Sequence, residues 1–335
     1  MSNPLSDLIA EKGVLLADGA TGTNLFAMGL MSGDAPELWN KEAPEKITKL
    51  HQDFVDAGSD IILTNSFGGT RHRLKLHNAQ DKVFELNKRA AEIARAVADK
   101  ADRKIIVAGS VGPTGELLAP LGELTFEQTV EAFREQIEGL KAGGADLAWI
   151  ETMSSPEEIR AAAQGALEAG LPYTFTGSFD TAGKTMMGLH PKDIHGVVES
   201  GEKPIALGAN CGVGAPDILS SLLDMTEAEP GATIIVKGNC GIPEFRGENI
   251  VYSGTPDLMA DYVRLAIDAG ATIIGGCCGT SCDHLRAMRT AMDTHTRGKR
   301  PTIEDIVSTV GPLRNKAAAN SDEAPRRERR SRRRA

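Results

Sequence analysis

Eight short apolar runs recur along the chain, each breaking off into a glycine-rich or polar loop, and a stretch with helical spacing separates most neighbours. Apolar runs of strand length bounded by glycine read as buried strands, and recurrence every three to four residues reads as an amphipathic helix. The expected strands are Val14–Ala17, Ile61–Leu63, Lys104–Ala108, Ala145–Ile150, Pro172–Thr176, Pro204–Leu207, Ala232–Val236 and Ala271–Ile274. Between them, Ile47, Leu50, Phe54 and Val55 share a helical face, as do Val83, Leu86 and Ile93 within Lys82–Lys100. Phe126, Val130, Phe133, Ile137 and Leu140 alternate in steps of four and three. Further helices are expected from Pro156 to Ala169, over a shorter Pro191–Glu199, from Pro216, over Thr255–Ala269, and over Cys282–Met292. Eight strands alternating with helices are the periodicity of a (β/α)8 TIM barrel. A doubly wound open sheet alternates in the same way, but no GxGxxG turn opens the first helix, so the closed barrel is the expected fold.

At 335 residues the chain can bury one large core. No apolar run approaches the length of a membrane span, and the N-terminus has neither the basic nor the apolar region of a secretory signal. The five cysteines are unevenly spaced, which argues against a disulfide framework and for a reducing, cytoplasmic setting. The net charge of −9 is unevenly distributed, because Ser321–Ala335 carries seven arginines and three acids. Residues 1–310 are expected to form the barrel, and 311–335 a flexible basic tail without an apolar anchor. An acidic body does not favour nucleic acid as a partner.

Chemistry concentrates at the strand ends. Cys277 and Cys278 follow the last strand in GGCCGT, and Cys211 follows the sixth in GANCGVG. In a parallel barrel these ends open on one face, so the three thiols form a candidate tripod for a soft tetrahedral metal, with zinc favoured. Three ligands leave a fourth position open. Cys240 would close the site instead, and His284 is another fourth-ligand candidate, though its helical position favours an outer role. A tris-thiolate zinc is a poor Lewis acid for hydrolysis but suits a thiol substrate, whose proton it displaces. Glu151, ending the fourth strand, is the candidate to hold a substrate ammonium, its alternative role being to cap the next helix. The DGAT turn at Asp18 and Gly19 offers backbone N–H groups to a carboxylate. Asn65 and Ser66 either orient polar groups at the rim or shape a turn.

The ordered set DGATGTNL, TNSFGGTR, SVGPTGE, Glu151-Thr152, GANC and GGCCGT resembles the homocysteine S-methyltransferase family over about residues 10 to 295. That resemblance implies a zinc barrel that methylates homocysteine to methionine. Cys211, Cys277 and Cys278 would bind Zn2+, Glu151 would receive the substrate ammonium, and Asp18-Gly19 would help hold the amino-acid end. GPTGELLAPLG and KGNCGIP look especially like the homocysteine module of cobalamin-dependent methionine synthase, which makes Asn239 a candidate zinc ligand in the substrate-free state. No DxHxxG cobalamin signature is present, so the expected donor is methylcobalamin on a separate corrinoid-binding protein. Betaine, or another small methylated sulfonium or ammonium donor, is the alternative. Against betaine, TNSFGGTR has Phe67 but lacks the tyrosine that the betaine branch places next, and Trp39 does not fall on its pocket tryptophan. A noncatalytic, zinc-stabilised scaffold is a further alternative.

Overall fold

The computed structural model describes residues 3–199, 201–241, 243–246 and 249–315, and omits the side chains of 243–246 and 249–251. Eight parallel strands form one sheet: β1 (Leu15–Leu16), β2 (Ile61–Leu63), β3 (Ile106–Val111), β4 (Leu147–Met153), β5 (Tyr173–Gly177), β6 (Leu207–Cys211), β7 (Ile234–Gly238) and β10 (Ile273–Gly276). Their order is β1-β10-β7-β6-β5-β4-β3-β2, and a single parallel bridge between Ala17 and Ile61 joins the two ends into a ring. The expected barrel is therefore present. A short hairpin, β8 (Pro243–Arg246) and β9 (Asn249–Tyr252), is inserted between β7 and the next helix, and nothing in the apolar pattern announced it.

The helices carry their own punctuation. Pro156–Ala169 and Pro256–Ala269 are built alike, with a Ser or Thr N-cap, proline in the first turn and a left-handed glycine at the C-cap. Thr125 and Gln128 form a capping box at the start of Phe126–Ala142. The helix expected over Pro191–Glu199 is instead a 3-10 segment, Pro191–Gly196, so the β5–β6 crossover is unusually thin. Several helices lay outside expectation, two of them at the ends of the barrel body. Pro4–Lys12 plugs the bottom of the barrel with Leu5 and Leu8, and Ile303–Val310 packs against the outer helices. The chain just beyond the latter stays attached, since the backbone N–H groups of Arg314 and Asn315 donate to Asp217. The arginine-rich stretch of the tail lies outside the described residues.

Alternation along the strands divides the core in two. Leu15, Ala17, Ile61, Leu63, Ile106, Ala108, Leu147, Trp149, Ile235 and Ile273 fill the lumen, whereas Leu16, Ile62, Val107, Ala148, Val236 and Ile274 face the helices. Continuing the inward register by steps of two toward the C-terminal rim reaches Asn65, Ser110, Glu151, Lys237 and Cys277. The lumen is thus apolar below and polar above, at the end where barrels of this kind carry their active sites.

Candidate metal centre

The three thiols expected to meet do meet. The sulfurs of Cys211, Cys277 and Cys278 all lie within 4.8 Å of one another, half-buried, at the ends of β6 and β10. Cys211 is the last residue of its strand, at φ +63°, a left-handed conformation that costs a non-glycine residue energy. Backbone bonds tie the other two down. The N–H of Cys277 donates to Gly238 O at 2.8 Å, and the carbonyl of Cys278 accepts from Cys240 N–H at 2.9 Å. Gly279 sits under the Tyr252 ring so closely that a side chain there would collide with it. Tyr252, brought in by the hairpin, thus stands beside the cysteine pair.

Amides surround the sulfurs. Asn239 Nδ2 lies 3.6 Å from Cys211 Sγ and 2.6 Å from the Gly212 carbonyl, while its Oδ1 accepts from Cys278 N–H at 3.0 Å. Cys240 is fully buried in the helix-side core and is not part of the thiol cluster, so a four-cysteine site does not form among the described residues. His284 accepts from Ser281 N–H and caps its own helix, also outside the cluster.

Without a cation the thiols oppose one another's ionisation. The hydrogen bond with Cys277 lowers Cys211, but contact with Cys278 and burial outweigh it and push that thiol up to about 11. Cys277 is pushed up as well, by its hydrogen bond to Cys211 and by burial. Three such groups, with N–H donors aimed at two of them and no competing carboxylate in the cluster, are a donor set that fits a soft divalent ion.

Glu151 faces the same cavity, an opening of about 350 Å³ also lined by Asn65, Ser66, Phe67, Ser110 and the three cysteines. It is 8% exposed, and Ser110 Oγ donates to its Oε1. Burial pushes its carboxyl up, against the pull of the Lys237 ammonium and the Ser110 hydroxyl. Asp18 lies beneath the cavity with its carboxylate already engaged. Oδ1 accepts from Lys237 Nζ at 2.7 Å and Oδ2 from Leu63 N–H at 2.7 Å. Gly19 packs against the Thr280 carbonyl with no room for a side chain. Asn65 donates to Pro36 O and to Asn40, and Ser66 Oγ donates to Ser110 O, so both brace the cavity wall.

Lys237 escaped the sequence reading. Its ammonium is buried over the Trp149 ring, and although burial works against the charge, Asp18 and Glu151 more than offset this and push its pKa up. Ser110, Asn210 and Tyr252 were missed too. The signal for Lys237 and Ser110 was the inward register, which continues past the point where each strand stops being apolar.

Residues 15–292 match the family model described as Homocysteine S-methyltransferase. Among curated relatives, the methionine synthases of Mycobacterium leprae and Mycobacterium tuberculosis are 30% and 29% identical over 91% of this chain. The alignment spans only 27% of the length of each. Among solved structures, the metallated form of the homocysteine methyltransferase MmuM from Escherichia coli matches with a TM-score of 0.69 at 27% identity, covering 86% of this chain and 99% of that one. Its oxidised form matches equally well. With the barrel, the ordered rim residues and the thiol cluster all in place, the chain belongs to the homocysteine S-methyltransferase family.

Proposed function

We propose that this chain is a zinc-dependent S-methyltransferase that converts homocysteine to methionine, taking the methyl group from methylcobalamin carried by a separate protein. The observation that carries the reading is the convergence of Cys211, Cys277, Cys278 and the buried carboxylate of Glu151 on one open cavity. Cys211, Cys277 and Cys278 would hold the zinc, with Asn239 beside them. When bound, the ion supplies the charge that keeps a substrate thiol deprotonated at neutral pH.

The chain's own residues do the rest. Glu151 accepts the substrate ammonium, braced by Ser110 and within the field of the Lys237 ammonium. The Asp18–Lys237 pair fixes the floor, and Asn65 and Ser66 hold the wall against which the amino-acid end lies. Bringing sulfur and methyl carbon into line replaces a bimolecular encounter with a positioned one. The sulfur–carbon bond forms as the carbon–donor bond breaks, and no covalent methyl-enzyme is needed.

Two features support a macromolecular donor. The curated relatives that this segment matches are methionine synthases more than three times its length, as coverage of 91% of this chain and 27% of theirs implies. The loops that follow β1, β2, β3 and β5 also carry exposed apolar side chains, among them Met31, Phe67, Leu117, Leu121 and Met186. Exposed apolar side chains on the same rim of the barrel are surface that a protein partner could cover. An aromatic cage for a quaternary ammonium has less support. Phe67 is the one aromatic side chain among the described residues lining the cavity, and Trp39 lies outside it with its ring covered by Lys46 at 4.1 Å. The test supplies zinc, homocysteine and each donor in turn. Methionine formed with a methyl-corrinoid protein is the expected result. Turnover with betaine alone would reject the donor, and retained zinc without turnover on any donor would leave only a scaffold.

A further inference from the structure

Asn210 lies between the thiol cluster and the strand end that carries Glu151, and its side chain is used to capacity. Its Oδ1 accepts from Thr152 N–H at 2.8 Å and from Thr176 Oγ1 at 2.6 Å. Its Nδ2 donates to Thr152 Oγ1 at 2.7 Å and faces Cys277 Sγ at 3.9 Å. A backbone N–H can only donate, so the bond from Thr152 fixes which end of the amide is oxygen and turns the NH2 toward the sulfur. At 1% exposure no water competes for these bonds.

The residue it grips is strained. Thr152 has φ +62°, rare for a β-branched residue, at a break in the β4–β5 register between Ile150 and Met153. That irregularity sits immediately after Glu151, and the two bonds from Asn210 to Thr152 hold it in place. The same amide reaches from β6, where it precedes Cys211, to the sulfur of Cys277 on the far side of β7.

We infer that Asn210 is a positioning residue that couples the two halves of the site, setting the donor strength of the Cys277 sulfur with one end of its amide and the orientation of Glu151 with the other. The inference rests on the zinc-and-homocysteine reading above and deepens it. An N–H donor on a ligating thiolate draws charge from the sulfur and fixes its direction, and such outer contacts change metal affinity by about 10- to 100-fold when removed.

Two substitutions separate the halves. Asn210→Asp keeps acceptors for Thr152 N–H and Thr176 Oγ1 and lets Thr152 Oγ1 turn to donate, but replaces the sulfur-facing N–H with a carboxylate oxygen. Asn210→Ala removes both grips. The full chain is loaded with Co2+, its thiolate-to-metal charge-transfer band recorded, and its metal affinity measured by chelator competition. The homocysteine KM and thermal midpoint are followed alongside. Expected for the Asp variant are a shifted band and metal affinity weaker by about tenfold or more, with a metal-free thermal midpoint lowered by the buried carboxylate and a KM raised less than in the Ala variant. An unchanged band and affinity in the Asp variant would overturn the inference while leaving the zinc reading intact. A wild-type chain without any thiolate band would overturn both.

Discussion

Replacing Glu151 with glutamine isolates the charge of the residue proposed to hold the substrate ammonium. The isosteric amide still accepts from Ser110 and leaves the thiol cluster untouched, while Lys237 keeps Asp18 as its partner. What is lost is the difference between a charge-assisted hydrogen bond, worth about 1.5–3 kcal/mol, and a neutral one of about 0.5–1.5. A loss of about 1–2 kcal/mol corresponds to about a 5- to 30-fold drop in kcat/KM for homocysteine, carried mainly by KM. The acid side of the pH profile supplies a second sign. Burial pushes the Glu151 carboxyl above the ordinary range, so lowering the pH neutralises it early and kcat/KM falls. The glutamine variant has no such proton to gain and lacks that limb. Steady-state kinetics across pH, with zinc content measured on the same samples, reads all three quantities. A variant with wild-type KM and an unchanged acid limb, or one that loses its zinc, would refute the assignment.

Two further substitutions probe the barrel itself. Gly208→Ala in β6 would place a Cβ 1.9 Å from the Ile235 carbonyl oxygen of the adjacent strand, a backbone contact that cannot relax by rotating a side chain. Denaturant unfolding is expected to show a loss at or above the upper end of the about 1–3 kcal/mol typical of overpacking, and a near-neutral result would contradict the strand register. His51 is fully buried with neither ring nitrogen partnered among the described residues, and burial lowers its pKa to about 4. Unfolded, it would titrate near 6.5, so stability is whole above that pH and falls as pH drops from 6.5 through 4, by up to ~3 kcal/mol. His51→Leu removes this contribution, and equal acid sensitivity of variant and parent would refute it.

The sequence was legible where burial and chemistry coincide in residue type. Ile61–Leu63 was located to the residue, and cysteines at strand ends announced themselves because few other roles suit three thiols on one face. What it concealed lies just beyond the apolar runs. Pro204–Leu207 looked like the sixth strand, yet the paired segment is Leu207–Cys211, because ladder hydrogen bonds continue through Gly208 and Asn210 after hydrophobicity has ended. That shift hid Asn210, and the same displacement in β3 hid Ser110. Lys237 reads as a surface residue by type, and carboxylates distant in sequence, Glu151 and an ion pair with Asp18 219 positions away, make its burial tolerable. The hairpin that brings in Tyr252 has strands of only four residues each, PEFR and NIVY, too short for a pattern to stand out, so its contribution was invisible without the fold.

In the proposed function, three protein thiolates hold a zinc whose remaining position receives the homocysteine sulfur. X-ray absorption at the zinc edge, on the same loaded sample before and after homocysteine, tests it without reference to the methyl donor. Three sulfurs and one lighter neighbour are expected before addition, and four sulfurs at about 2.3 Å after it. A shell that stays at three sulfurs with saturating homocysteine, or holds four before any is added, would contradict it.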